Sequence, residues 1–133
     1  MDYTAEIFDQ IQLLSETKRF NDHELHCVLR FEHGPDPEVL KKSVIASIEA
    51  NPILGTRYID GARPYWTRLD PSDFGRAFNL ATTEAEFEEF LVSRVDESVG
   101  PQIRVCQIDS DPFAVALKMN HMICDAADFK QYL

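Results

Sequence analysis

The most constraining feature of this sequence is an alternating segment near its C-terminal end. Every second residue there is large and apolar: Phe113, Val115, Leu117 and Met119. A period of two is the pattern of a β-strand that has one buried face. The next residue of that parity is His121. The pattern therefore predicts a strand that delivers an imidazole toward the core at its end.

The rest of the chain divides into helix and strand patterns. Apolar residues recur at helical spacing in some segments and alternate in others. In chain order the predicted elements are a helix over 4–16, a strand over 25–32, a helix over 36–50, two β-runs over 53–59 and 63–69, a loop over 70–82, a helix over 83–98, strands over 102–109 and 112–120, and a final short helix. Leaving the first helix aside, the order is βαββαββ followed by a helix. Hairpins that alternate with helices favour a mixed sheet.

Local signals mark several of the element boundaries. Asp36 and Pro37 have the residue types of an N-cap and a first helical position. Thr83 is followed three residues later by Glu86, which is the spacing of a capping box. Asp125 is placed to cap the final helix by accepting the backbone N–H of the third helical residue. These signals predict where three helices begin.

The fold class that follows is α/β, an α+β arrangement in two layers with a mixed sheet covered by helices. The 133 residues form a single domain, 1–133, which is enough chain to bury roughly two thirds of its unfolded surface in one core. No apolar run approaches the ~20 residues that a membrane-spanning helix needs.

Charge and cysteine content restrict the partners and the compartment. With 13 basic and 23 acidic residues the net charge is −10, which disfavours nucleic acid and anionic membranes as partners. No cluster of basic residues is visible in the sequence that would bind the phosphates of a nucleotide. The 3 cysteines lie in or beside apolar runs, which favours reduced thiols, and the N-terminal residues do not have the pattern of a signal peptide. We therefore expect a cytoplasmic protein.

His121 is the residue best suited to chemistry. A near-neutral imidazole accepts a proton from a hydroxyl, an amine or a thiol and passes it on. The other interpretation is a core histidine hydrogen-bonded at a strand end, and the residues alone leave both open. Pairing His121 with Cys124 as nucleophile lacks an orienting third group. A metal site with Asp125 and Asp128 would require one continuous helix through the strand end, so no metal is expected.

Three segments together resemble the CoA-dependent acyltransferase superfamily, which includes chloramphenicol acetyltransferase, the condensation domains of peptide synthetases and alcohol acyltransferases. Asn120 to Ala126 is similar to the signature HHxxxDG of that superfamily. Asn51-Pro52-Ile53-Leu54 is similar to its HPxLR segment, and Gly100 to Val105 is similar to its GPLxRV strand. The order and spacing of the segments fit from about Glu24 to the C-terminus.

The resemblance implies a fold and a role for each matched residue. It implies one half of the chloramphenicol acetyltransferase-like fold, the N-terminal subdomain, in a chain truncated at its C-terminus. It implies acyl transfer from a CoA or phosphopantetheine thioester, with no tightly bound cofactor, to a hydroxyl or an amine. His121 matches the catalytic general base, and Asp125 matches a structural aspartate that pairs with the arginine of HPxLR. The backbone between Asn120 and Ala126 would shape the substrate tunnel.

The sequence departs from the pattern at three positions. The arginine position is Gly55, and Arg57, two residues along the same run, is expected to reach Asp125 in its place. Asn120 replaces the first histidine and Ala126 replaces the glycine. These departures favour the alternative of a non-catalytic binding or docking module.

The same resemblance predicts that the chain alone lacks one wall of its channel. The surface around His121 that would meet the C-terminal half would then be exposed, and exposed apolar surface tends to be covered. We therefore expect self-association of the 133-residue chain and no transferase activity from it alone.

Overall fold

The structure is a computed structural model that describes residues 2–17 and 24–133. Its strands are β1 (Asp2–Thr4), β2 (Glu24–Phe31), β3 (Thr56–Ile59), β4 (Tyr65–Arg68), β5 (Phe78–Ala81), β6 (Ile103–Ile108) and β7 (Phe113–Asn120). Its α-helices are α1 (Ile7–Thr17), α2 (Pro37–Ala50), α3 (Glu84–Val92) and α4 (Ala126–Tyr132). Two 3₁₀ turns, Pro52–Gly55 and Pro71–Ala77, precede β3 and β5. None of the helices in these two ranges is long and apolar enough to cross a membrane.

The strands form two sheets. The larger has the order β2-β7-β6-β5, and the smaller has the order β1-β4-β3. In the larger sheet β7 is antiparallel to both neighbours, whereas β5 is parallel to β6. The sheet is therefore mixed and covered by helices, which confirms the predicted fold class.

Strand β7 is buried on both faces, so the prediction of one buried face is wrong. Val115, Leu117 and Met119 lie in the main core with α2, as the alternation predicted. The small residues between them, Ala114 and Ala116, lie in a second core with α3. Because helices cover both faces of the larger sheet, α3 adds a third layer to the two that the sequence predicted.

Several elements differ from the predictions, and α1 begins at Ile7 where the predicted helix began at residue 4. The predicted loop over 70–82 contains a 3₁₀ turn and strand β5. The predicted run over 53–59 begins as a 3₁₀ turn, and the predicted helix over 83–98 ends at Val92. Strand β1 was not predicted. The short β1 and β5 owe their structure to hydrogen bonds with distant strands, which no local pattern records.

Helix α1 forms where its apolar spacing predicted it, but that apolar stripe faces solvent. The exposed fractions of Ile7, Phe8, Ile11 and Leu14 range from 52% to 76%. The helix is instead held by Asp9, which accepts a hydrogen bond from Trp66 Nε1 at 3.1 Å. Periodicity predicted the helix but not the side that it buries.

The predicted caps of α2 and α3 are present. The Asp36 carboxylate accepts from Val39 N at 3.0 Å, and Pro37 is the first helical residue. Thr83 Oγ1 accepts from Glu86 N at 3.2 Å. The Glu86 carboxylate accepts from the backbone N–H and the hydroxyl of Thr82. The second half of the capping box is therefore made with the residue before the one that the sequence pattern predicted.

Candidate active site

The candidate site is the motif turn, which we define as Asn120–Asp125 between β7 and α4. Strand β7 ends at Asn120 and α4 begins at Ala126, so the turn joins the central strand to a short helix. His121 is half-buried, while Asn120 and Met122 on either side of it are buried. The imidazole therefore lies at the end of a strand, on a backbone that is anchored on both sides.

Asn120 anchors the turn through both ends of its side chain. Its Nδ2 donates to Gln102 Oε1 at 3.1 Å, and its Oδ1 accepts from Met122 N at 2.9 Å. Its backbone N–H also donates to Gln102 O at 3.0 Å. An asparagine at the first histidine position of the signature thus fixes the backbone on both sides of His121.

Gln102 connects this turn to the smaller sheet. The residue is fully buried, and its Nε2 donates to Thr56 O at 2.9 Å and to Glu97 O at 3.0 Å. Two carbonyls can only accept, so the amide nitrogen must face them and Oε1 must face Asn120. The amide orientations of both side chains then follow, and each donor meets an acceptor. Sequence reasoning missed Gln102, because nothing local distinguishes a networked glutamine from any other.

Asp125 is the N-cap of α4, as the sequence predicted. Its Oδ1 accepts from Ala127 N at 2.7 Å and Asp128 N at 2.9 Å, and the Asp128 carboxylate accepts from Asp125 N. The hydrogen bonds from Asp128 and Ala127 lower the pKa of the Asp125 carboxyl, and the nearby His121 lowers it further. This residue fixes the start of the helix and, with it, the end of the motif turn.

Arg57 does not replace the arginine of HPxLR. Its side chain is exposed on β3, and within 2–17 and 24–133 it forms no ion pair with Asp125. The expected Arg57–Asp125 contact is therefore not made. Strand alternation explains this, because Arg57 points away from the face on which Tyr58 packs against Met122.

A different guanidinium lies beside Gly55. Arg68, on the neighbouring strand β4, donates to Ile48 O at 3.0 Å and to Pro52 O, and stacks over Phe74 at 4.6 Å. A Cβ on Gly55 would lie 2.7 Å from the Arg68 guanidinium. The missing side chain at position 55 thus makes room for an arginine from another strand, one that caps the end of α2 and does not contact Asp125.

Ala126 fits the position at which the signature has glycine. It is the first residue of α4 and its side chain is exposed. Alanine is the best helix former, and no left-handed backbone is required of it. The substitution is therefore accommodated by the helix that starts there.

The Cys124 thiol is hydrogen-bonded within the motif turn. Burial raises the pKa of its thiol to about 12, and the carboxylates of Asp128 and Asp125 add to the shift. Its Sγ donates to Asn120 O at 3.7 Å, and this hydrogen bond links the two ends of the motif turn. Within the described ranges no three His, Cys, Asp or Glu side chains are grouped to hold a metal ion.

Two cavities lie along the motif turn. One has a volume of about 760 Å³ and lies between β1, α1 and Met122, with Trp66 in its wall. The other has a volume of about 410 Å³ and lies between Met119, Cys124 and α4. Ile53 and Ile123 line both cavities. Space for small molecules is thus present on the side of the turn that carries Met122 and Ile123.

Comparison with known proteins finds solved structures that have this fold. No protein-family model matches the chain, and no curated protein sequence matches it. Solved structures do match. The starter condensation domain of rhizomide synthetase is similar with a TM-score of 0.74 and 12% identity, over 98% of this chain and 36% of that one. The first condensation domain of the calcium-dependent antibiotic synthetase, solved with a substrate analogue, gives a TM-score of 0.72 at 11% identity, over 97% and 35%.

The chain therefore has the fold of part of a condensation domain, which confirms the resemblance at the level of the fold. A tallysomycin biosynthesis protein is similar in structure to the same extent, with a TM-score of 0.72 and 14% identity over 98% of this chain. In each case the chain spans about a third of the matched structure's length.

Proposed function

We propose that this chain is part of an acyltransferase of the condensation type, with His121 as its general base. One observation carries the proposal. In a chain with the condensation fold, an imidazole lies at the end of the central strand β7, in a turn fixed on one side by Asn120 and on the other by Asp125. A base works only where its position is held, and the hydrogen bonds of this turn fix the backbone that carries the imidazole.

In the proposed reaction the acyl donor is a thioester of CoA or phosphopantetheine, and the acceptor is a hydroxyl or an amine. His121 takes the proton from the acceptor as its oxygen or nitrogen bonds to the acyl carbon. The carbon–sulfur bond then breaks, and the leaving thiolate takes the proton from the imidazolium. One matched starter condensation domain was solved in complex with C8-CoA, which supports a thioester donor here.

The test is acyl transfer by the product of the complete reading frame. We expect His121→Ala to lower turnover by about 10²–10⁴-fold, the usual contribution of a general base, with little change in the unfolding midpoint. His33→Ala is the matched control, because His33 is exposed and lies at the exit of β2. Thiol release from a panel of acyl thioesters is the measurement. Equal rates in the wild type and the His121 variant would favour the non-catalytic docking module.

We further propose that these residues are the N-terminal part of a larger enzyme and that the protein is cytoplasmic. Alone, the chain is expected to self-associate and to lack transferase activity. The exposed stripe of Ile7, Phe8, Ile11 and Leu14 supports self-association, because such a surface is normally covered. Light scattering that gives a clean monomer near 15.2 kDa would contradict this expectation.

A further inference from the structure

Gln102, directly before β6, is fixed in place through its backbone and its side chain together. Its backbone N–H donates to Leu54 O at 2.8 Å, and its backbone carbonyl accepts from Asn120 N at 3.0 Å. The side-chain nitrogen donates to Thr56 O at 2.9 Å and to Glu97 O at 3.0 Å, which uses both of its protons. The side chain is fully buried. Its remaining polar atom, Oε1, therefore presents an acceptor in one fixed direction.

Asn120 passes this constraint to the backbone around His121. Its Nδ2 donates to Gln102 Oε1 at 3.1 Å, and its Oδ1 accepts from Met122 N at 2.9 Å. A flipped Asn120 amide would place oxygen against oxygen at Gln102 and one N–H against another at Met122. Only one orientation of the amide is therefore satisfied, and that orientation fixes the peptide that follows His121.

The backbone carbonyl of Asn120 holds a further part of the motif turn. It accepts from Ile123 N at 3.3 Å and from Cys124 Sγ at 3.7 Å. His121 thus lies in a turn that is bonded to Asn120 at several points, and Asn120 is itself bonded to Gln102. A change in the bond between Gln102 and Asn120 therefore reaches the backbone on both sides of the imidazole.

A second buried glutamine shows that burial beside β7 is not enough for such a connection. Gln107 is also fully buried, but its side chain donates to Pro35 O at 2.7 Å, in the segment before α2. That bond leads away from the motif turn. The connection to His121 depends on the particular bonds that Gln102 makes.

We propose that Gln102 is a positioning residue for the general base and acts through Asn120. This inference rests on the proposed function of His121 and adds to it a residue from a distant segment of the chain. Gln102 sets the amide orientation of Asn120, and Asn120 sets the backbone from which the imidazole projects. Misplacing a catalytic group by about 1 Å costs up to about 10²-fold in rate, so loss of the link should lower kcat with little change in KM.

The substitution Asn120→Asp tests the link with a small change. The carboxylate keeps an acceptor for Met122 N, but it lacks the N–H that Gln102 Oε1 accepts. Asn79→Asp is the matched control, because Asn79 is exposed on β5 and its Oδ1, which accepts from Arg104 at 2.9 Å, is kept. In the product of the complete reading frame at neutral pH we expect kcat for acyl transfer to fall about tenfold to a hundredfold in Asn120→Asp. The control should match the wild type.

NMR of the imidazole ring protons provides a measurement that does not depend on turnover. The signals of His121 are assigned by their loss in His121→Ala. We expect them to shift in Asn120→Asp and to stay unchanged in Asn79→Asp, because only the first substitution breaks the bond to Gln102. A side chain that only stabilised the fold would alter the unfolding midpoint and leave both the ring signals and kcat of the folded variant unchanged.

The two measurements together decide the inference. A fall in kcat at little-changed KM, with shifted His121 signals, supports it. Unchanged ring signals in Asn120→Asp overturn it, as does an unchanged kcat in an active enzyme or an equal loss in Asn79→Asp. If the wild type transfers no acyl group, the proposed function fails, and the ring signals alone decide whether Gln102 fixes the imidazole. If Asn120→Asp does not fold, Asn120→Ala removes the same donor without adding a charge and takes its place in both measurements.

Discussion

Replacing Gln102 with leucine should destabilise the protein far more than the same change at Gln107. Gln102 directly precedes β6, Gln107 lies within it, and both are fully buried. They differ in their hydrogen bonds. Gln102 makes three through its side chain, to Thr56 O, Glu97 O and Asn120 Nδ2. Gln107 donates one, to Pro35 O at 2.7 Å, and its buried Oε1 has no partner within the described ranges.

The expected loss of unfolding free energy depends on which hydrogen-bonding groups each leucine leaves without a partner. At position 102 the change leaves two buried groups, Thr56 O and Asn120 Nδ2, without their partner, whereas Glu97 O keeps its hydrogen bond from Tyr58 N at 2.7 Å. A buried group left without a partner costs about 1–3 kcal/mol, so the sum for the two is about 2–6 kcal/mol. At position 107 the change breaks one bond but also removes an unsatisfied oxygen, so we expect about 1 kcal/mol or less.

Urea unfolding followed by circular dichroism measures both variants under the same conditions. Typical domains have an unfolding free energy of about 5–15 kcal/mol, so a loss of this size at position 102 is readily detected. The m-value should stay constant in both variants. Equal losses of stability at the two positions would refute the assignment of Gln102 as the connection between the sheets.

Three further predictions concern groups around the site. Asp125→Ala should lower the urea midpoint at pH 7. Because the folded-state pKa of Asp125 lies below its usual 3.8, the difference in midpoint between wild type and variant should vanish as the pH falls through the folded-state pKa. Asp125→Asn should keep the cap without that pH dependence. Lys118→Met should cost about 2–3 kcal/mol, because the buried ammonium donates to Phe90 O and Ser93 O at the end of α3; an unchanged midpoint would contradict this role. The Cys124 thiol, whose pKa is raised from 9.0 to about 12, should be alkylated by iodoacetamide at pH 8 about a thousandfold more slowly in the folded than in the urea-unfolded protein, and similar rates would count against its burial.

Local signals in the sequence were sufficient for the starts of three helices, α2, α3 and α4. Asp36, Thr83 and Asp125 each cap the helix that the sequence assigned to them. A cap is a bond between a side chain and a backbone N–H two or three residues away, so the short-range sequence contains both partners. Alternation likewise predicted β7 and the position of His121 at its end, because strand parity is also a local property.

The partners of Arg57, Gln102 and Gly55 were decided only by the tertiary structure. Arg57 was expected to reach Asp125 but lines a cavity with Arg68 and Arg76. Gln102 joins two sheets through residues 46 positions and 18 positions away. Burial of the second face of β7 and the formation of β5 depend in the same way on distant elements. The sequence by itself thus determined most of the helices and strands and the place of His121 at the end of β7, because those depend on near neighbours, whereas β1 and β5 form only with distant strands. Which face each element buries and which charges meet depend on how the chain packs, and no local pattern encodes that.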